Sequence, residues 1–187
     1  MDPVLPPTGE RLGSIIWLTG LSGSGKTTIA TAMEHRWRGR GRQTCVLDGD
    51  GLRAGVNSDL GFSPTDRAEN ARRVAEMAKL LAHSGLTVIV ALISPFEKDR
   101  RMARETVTAS GVVFVEVYLD CPLSICEQRD PKGLYRKARA GQIAAFTGVD
   151  AGYETPRDPE VILPTGSETP EESISRLDTF LRDRLGF

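Results

Sequence analysis

Residues 20–27 read GLSGSGKT and follow directly on the apolar run Ile15, Ile16, Trp17, Leu18. Two glycines with four residues between them, followed by Lys and Ser/Thr in a strand, loop and helix setting, form the pattern of a phosphate-binding loop. The pattern constrains the fold because it works only where a buried strand delivers a tight turn to a helix start. Glycines such as Gly20, Gly23 and Gly25 reach backbone angles closed to other residues, so successive N–H groups can turn inward around phosphate oxygens. The following helix then points its positive end at the same anion. Residues Gly20, Leu21, Ser22, Gly23, Ser24, Gly25, Lys26, Thr27 and Thr28 are therefore the expected segment for binding a nucleoside triphosphate, with Lys26 on the β- and γ-phosphates and Thr27 the expected Mg²⁺ ligand.

The rest of the chain agrees with an α/β reading. Short apolar runs alternate with longer amphipathic ones, which predicts a five-stranded parallel sheet with helices on both faces. Strands are expected at 14–19, 44–47, 87–91, 112–119 and 161–163, and helices at 26–38, 64–84, 97–108, 122–129 and 170–185. The stretch 133–159 resists assignment and is rich in glycine and charge, which marks a candidate lid running from about 130 to 159. At 187 residues, 40% hydrophobic and 26% charged, the chain suits one domain with a single core, taken as 13–187 behind a disordered leader, 1–12. A net charge of −1 excludes a general affinity for nucleic acid or acidic membranes. Three cysteines without a CxxC pair indicate neither a disulfide framework nor a zinc cluster. With no apolar run near the roughly 20 residues of a membrane span, the expectation is a cytoplasmic protein with no membrane partner.

In open α/β sheets ligands bind beyond the carboxyl ends of the strands. After the second strand come Asp48, Gly49, Asp50, Gly51, Leu52 and Arg53. The two carboxylates can serve Mg²⁺ or take a proton from a hydroxyl nucleophile, and Arg53 can pair with an anion; a tight turn with a helix cap is the alternative. Ser63, Pro64, Thr65 and Asp66 form a helix start, after which Ala71, Val74, Ala75, Ala78, Leu81 and Ala82 define a buried stripe. Arg67 and Asn70 lie on that inward side, so they require either a structural partner or an open cleft, with Phe62 nearby to stack on a base. Ser94 follows the third strand and is open to three roles: a hydrogen-bonding group, a phosphate acceptor, or a helix cap. Residues 129–139 hold five cations, among them Arg129 and Lys132, against one carboxylate, as expected of a segment that closes over polyphosphate.

Together GLSGSGKTT, the LDGD turn with Arg53, DLGFSPTDRAENARRVAEMAKL, ISPF with DRRMAR, and CEQRDPKGLYRKARAGQIAAFTGVD resemble adenylylsulfate kinases, from about Ser14 to the C-terminus. The resemblance implies a three-layer P-loop kinase fold with a mobile basic lid. It also implies transfer of the ATP γ-phosphate to the 3′-hydroxyl of adenosine 5′-phosphosulfate. The implied acceptor site is Asp50, Arg53, Phe62, Arg67, Asn70, Ile93, Ser94, Lys132 and Phe146, with Phe62 and Phe146 sandwiching adenine. Lys26, Asp50 and Ser94 are the implied catalytic residues, and Arg129 adds to the ATP site. Mg²⁺ is the implied cofactor; a homodimer and functional coupling to an ATP sulfurylase are the implied associations. Family members commonly carry Asn, His, a basic residue and Gly where this chain has Gly51, Ala54, Glu97 and Ala145.

Overall fold

The computed structural model describes residues 12–186. Strand β1 (Ser14–Thr19) leads into helix α1 (Lys26–Arg38), β2 (Thr44–Asp48), α2 (Gly49–Ala54), α3 (Pro64–His83), β3 (Thr87–Ala91), α4 (Glu97–Thr108), β4 (Val113–Leu119), α5 (Leu123–Arg129), α6 (Leu134–Arg139), β5 (Val161–Leu163) and α7 (Pro170–Leu185). All five strands are parallel, in the order β2-β3-β1-β4-β5. Every residue of β1 and β3 is buried, because a parallel strand at the centre of such a sheet is covered on both faces. Edge strand β2 is only half-buried beyond Thr44.

Two apolar layers enclose the sheet. On one face Ile16, Leu18, Ile89 and Val117 pack against Ile29, Met33 and Trp37 of α1 and Ile174, Leu177 and Leu181 of α7. On the other, Ile15, Trp17, Val88 and Val90 meet the alanine-rich stripe Ala71, Val74, Ala75, Ala78 and Ala82 of α3, together with Ala103 and Val107 of α4. Small residues on α3 let it lie close to the sheet, which is what brings Asn70 to the strand ends. A third, smaller cluster, Cys121, Cys126, Tyr135, Ala138 and Phe146 with Leu21 packed against it, seats the candidate lid on the phosphate-binding loop.

Helix starts follow the sequence signals. Ser63 accepts a bond from the Asp66 N–H with Pro64 in the first turn, and Thr169 and Glu172 complete a reciprocal capping box at α7. The structure differs from expectation in several places. Helix α3 ends at His83, with Ser84 as its C-cap. Strand β2 runs one residue further, to Asp48, whose side chain caps the short α2, so the helix cap that was the alternative at this turn is present. Strand β4 starts at Val113, and Pro122 is the cap of α5. The expected irregular stretch contains α6, whose first N–H groups are satisfied from outside by Asp130, bonded to Tyr135 N and Arg136 N at 3.0 and 3.1 Å. The expected leader, 1–12, lies outside the described residues except for Leu12.

Gly13 abuts β1 where a Cβ would stand 1.8 Å from the Leu86 carbonyl oxygen. Gly13→Ala must shift one backbone against the other and is expected to cost about 1–3 kcal/mol, read as a lowered midpoint in chemical denaturation.

Candidate functional site: a two-sided cleft at the carboxyl edge of the sheet

The loop between β1 and α1 is shaped by glycine. Gly25 sits at φ 100° at the start of α1 with no side-chain cap, which leaves the first N–H groups of the helix open toward an anion. Lys26 folds over the loop, its Nζ donating to the carbonyls of Gly20 and Leu21 at 2.8 and 2.6 Å. Burial lowers its pKa to about 8, against the opposing influence of Cys126 and Asp48. Neighbouring elements brace the loop: Tyr135 Oη donates to Ser22 O at 2.9 Å, and Thr165 Oγ1 to Ser24 O at 2.9 Å. Arg129 reaches Thr165 O at 2.6 Å.

The loop opens onto a cleft of about 840 Å³ whose lining runs continuously from Ser22–Ile29 to Asp48, Asp50, Arg53, Phe62, Arg67, Asn70, Ile93, Ser94, Lys132 and Phe146. Residues predicted from distant parts of the chain are thus brought together. Gly20 and Leu21 are the exceptions: they are not on the cleft wall, and serve instead through their carbonyls on Lys26 and through Leu21 in the lid cluster. Thr27 Oγ1 donates to Asp48 Oδ2 at 2.8 Å, which pairs the expected metal-binding hydroxyl with a carboxylate. Across the opening, Asp50 pairs with Lys132.

The far wall is cationic and short of counter-charge. Arg53 donates to the carbonyls of Leu60 and Gly61 and lies 4.5 Å from the centre of the Phe62 ring. Arg67 donates to Phe62 O and Ala145 O, at 3.0 and 3.1 Å, rather than to a carboxylate. Among the described residues neither arginine forms an ion pair. Burial lowers both pKa values from the ordinary arginine range, for Arg67 with the Arg53 charge as a second cause. Two partly buried guanidinium groups bonded to carbonyls and set beside the Phe62 ring, with no ion-pair partner, are arranged for an anion that arrives from outside. Beside them, buried Asn57 donates its Nδ2 to Asn70 Oδ1 at 3.0 Å, so the Asn70 amide N–H groups are its remaining donors. Phe62 is exposed, whereas Phe146 is buried edge-on against Tyr135.

Ser94 is not a helix cap, since Phe96 occupies that position without a side-chain bond. Its hydroxyl accepts from Trp17 Nε1 at 3.0 Å, and its backbone stands at φ 39°. Ala145 is likewise at φ 54°, a conformation that suits the glycine expected there and is held by Asp150, which accepts from the N–H groups of Ala145 and Phe146. Asn57 and Thr165 were not predicted as site residues. Asn57 falls among polar loop residues, and Thr165 follows a three-residue strand with no motif around it.

A family model described as adenylylsulphate kinase matches residues 12–164. The chain belongs to the adenylylsulphate kinase family. An adenylyl-sulfate kinase of Bacillus pumilus is 54% identical over 170 residues, covering 91% of this chain and 85% of the relative. One from Clostridium acetobutylicum is 51% identical over 173 residues, covering 92% and 85%. The solved structure of a Mycobacterium tuberculosis APS kinase in complex with AMPPNP and APS superimposes with a TM-score of 0.89 at 46% identity, over 92% of this chain and 99% of that one. The P-loop kinase fold expected from the sequence is therefore the fold of this adenylylsulphate kinase family member.

Lys26 supplies a pH prediction. Its pKa of about 8 in the free chain lies below the ordinary 10.5, and a bound polyphosphate favours the charged amine. ATP binding near pH 8.5 should then take up roughly half a proton or more, and the uptake should vanish below about pH 6.5, where the amine is already charged. Calorimetry in buffers of different ionisation enthalpy measures it; Lys26→Met should abolish it.

Proposed function

We propose that the chain transfers the γ-phosphate of ATP to the 3′-hydroxyl of adenosine 5′-phosphosulfate, giving ADP and 3′-phosphoadenylyl sulfate. The observation that carries this reading is the continuity of one cleft from a phosphate-binding loop to a wall bearing Arg53, Arg67 and Asn70. A kinase for a neutral acceptor has no use for two partly desolvated arginines that lack carboxylate partners.

On this reading the 3′-oxygen attacks the γ-phosphorus as the bond to the bridging oxygen of ADP breaks, and Asp50 takes the hydroxyl proton. The Asp50–Lys132 pair has to open for this, which frees Lys132 for the acceptor. Lys26 meets the charge growing on the transferring group, while Gly20–Thr28 and Arg129 hold the donor. Arg53, Arg67 and Asn70 hold the phosphosulfate end, and Phe62 and Phe146 enclose the adenine. Ser94 stays a hydrogen-bonding member of the catalytic set, since its hydroxyl is engaged by the Trp17 indole and faces no base. The hydroxyl of Thr27 and the carboxylate of Asp48, hard oxygen donors already in contact, fit Mg²⁺, which would neutralise phosphate charge there. Residues 13–187 act as one catalytic domain, and the segment 130–159 closes over bound nucleotide to exclude water. A cytoplasmic setting suits an ATP-dependent enzyme, and no described helix is long and apolar enough to cross a membrane. Self-association as a dimer and coupling to a sulfurylase that supplies the acceptor complete the reading.

An assay of ADP release with a panel of acceptors tests it. Release should depend on adenosine 5′-phosphosulfate and not on sugars or nucleoside monophosphates. Lys26→Ala should lower kcat by roughly 10³-fold or more. Arg67→Ala should raise the acceptor KM about 10- to 100-fold and leave the ATP KM within about twofold. Small, equal effects from both variants contradict the assigned roles.

A further inference from the structure

Arg100 lies on α4, away from the cleft lining, and is 2% exposed. All three of its guanidinium nitrogens are engaged, and each goes to a different part of the fold. Nε donates to Glu116 Oε1 on β4 at 2.8 Å, Nη1 to the Ser94 carbonyl at 2.8 Å, and Nη2 to the Glu154 carbonyl at 2.8 Å. Glu116, itself buried, also accepts from Arg104 at 3.2 Å, and Arg104 pairs in turn with Glu160. The ring of Tyr153 lies 5.8 Å from the Arg100 guanidinium, and the Tyr153 hydroxyl shares a 2.8 Å bond with Thr19 Oγ1.

Of the two carbonyls that Arg100 holds, that of Ser94 belongs to a residue of the cleft wall, and that of Glu154 to the segment bonded to the turn behind it. Ser94 sits at φ 39°, a strained backbone for a residue with a Cβ, and such a conformation persists only where its surroundings over-determine it. Here Trp17 grips the hydroxyl, Thr19 Oγ1 grips the Ile93 carbonyl at 2.7 Å, and Arg100 grips the Ser94 carbonyl. Glu154 stands just after the segment bearing Ala145, Phe146 and Asp150, and is stitched to the same turn by Glu154 N to Pro95 O and Glu97 N to Glu154 Oε2, at 2.8 and 2.7 Å. Only a planar, forked cation can serve a carboxylate and two separate carbonyls at once.

We propose that Arg100 is a positioning residue for the acceptor: anchored on Glu116, it holds the strained Ile93–Ser94 turn and the base of the lid segment in one arrangement. It touches neither nucleotide. None of its bonds goes to the phosphate-binding loop or to Arg129, so the consequence falls on the acceptor. The proposal rests on the acceptor site assigned above.

Three variants test it. Arg100→Lys keeps the charge beside Glu116 but not the fork. Arg100→Met combined with Glu116→Gln removes the buried charge with its partner, a change that folds tolerate better than breaking one side of the pair. Arg104→Gln disturbs the same network without touching Ser94 or Glu154. In the first two, the KM for adenosine 5′-phosphosulfate should rise roughly 10- to 100-fold, with the KM for ATP within about twofold and little change in the melting temperature. The two tryptophans give an independent signature, because Trp17 Nε1 is bonded to Ser94 and Trp37 Nε1 to Asp178. The Trp17 indole N–H resonance should move in both variants, and the Trp37 resonance should stay. Arg104→Gln should leave both the acceptor KM and the Trp17 signal in place. An unchanged acceptor KM in a folded variant, or an equal rise in both KM values, overturns the proposal while leaving the kinase reading intact. A wild-type chain with no acceptor-dependent ADP release overturns that reading, and the proposal with it.

Discussion

Strand β1 is the constraint on which the rest depends. It is buried along its whole length between two helical layers, so its direction and register are set by packing on both faces. From its carboxyl end the chain turns straight into the phosphate-binding loop. Two of its own side chains also reach the other half of the cleft: Trp17 bonds Ser94, and Thr19 bonds Ile93 O and Tyr153. One strand therefore places both the phosphate-binding loop and the Ile93–Ser94 turn on the opposite wall of the cleft. For a reaction whose catalysis is mostly positioning and charge stabilisation, a shared rigid reference of this kind matters more than any single reactive residue.

Charge is divided along the same line. The donor side offers open helix N–H groups and a lysine whose burial makes its charge costly until phosphate arrives. The proposed acceptor side offers Arg53 and Arg67, bonded to carbonyls and set beside the Phe62 ring, and an asparagine held by Asn57. Between the two stand Asp50 and Lys132, which neutralise each other across the gap. Each part is electrostatically incomplete alone, and on the proposed reading a pair of polyanionic nucleotides completes both.

Much of this was readable in the sequence, for physical reasons that differ by element. The loop at Gly20–Thr28 and the helix start at Ser63–Asp66 are local: backbone angles and caps are written in consecutive residues. The inward placement of Arg67 and Asn70 followed from helical spacing, and both do face the cleft. Helix α6 was not readable, because its N-cap is Gly133 at positive φ with no capping side chain, its first N–H groups are met by Asp130 from the end of the preceding helix, and its apolar face is only Leu134, Tyr135 and Ala138. Nor were Asn57, Arg100 and Thr165, whose importance is entirely tertiary. Arg100 looks like one more cation in a charged helix until the fold brings Glu116, Ser94 and Glu154 around it. Ala145 shows the reverse case. Its departure from the family's glycine was visible in the sequence, but only its φ of 54° shows that the position is conformationally demanding.

If the one cleft holds both nucleotides, as proposed, phosphate passes directly from donor to acceptor, without a stop on Ser94. The stereochemical course of transfer decides this most directly. With ATP made chiral at the γ-phosphorus by oxygen isotopes, a single in-line displacement predicts inversion of configuration in the 3′-phosphate of the product. Retention of configuration would mean two successive displacements through a phosphorylated enzyme, and would contradict direct transfer.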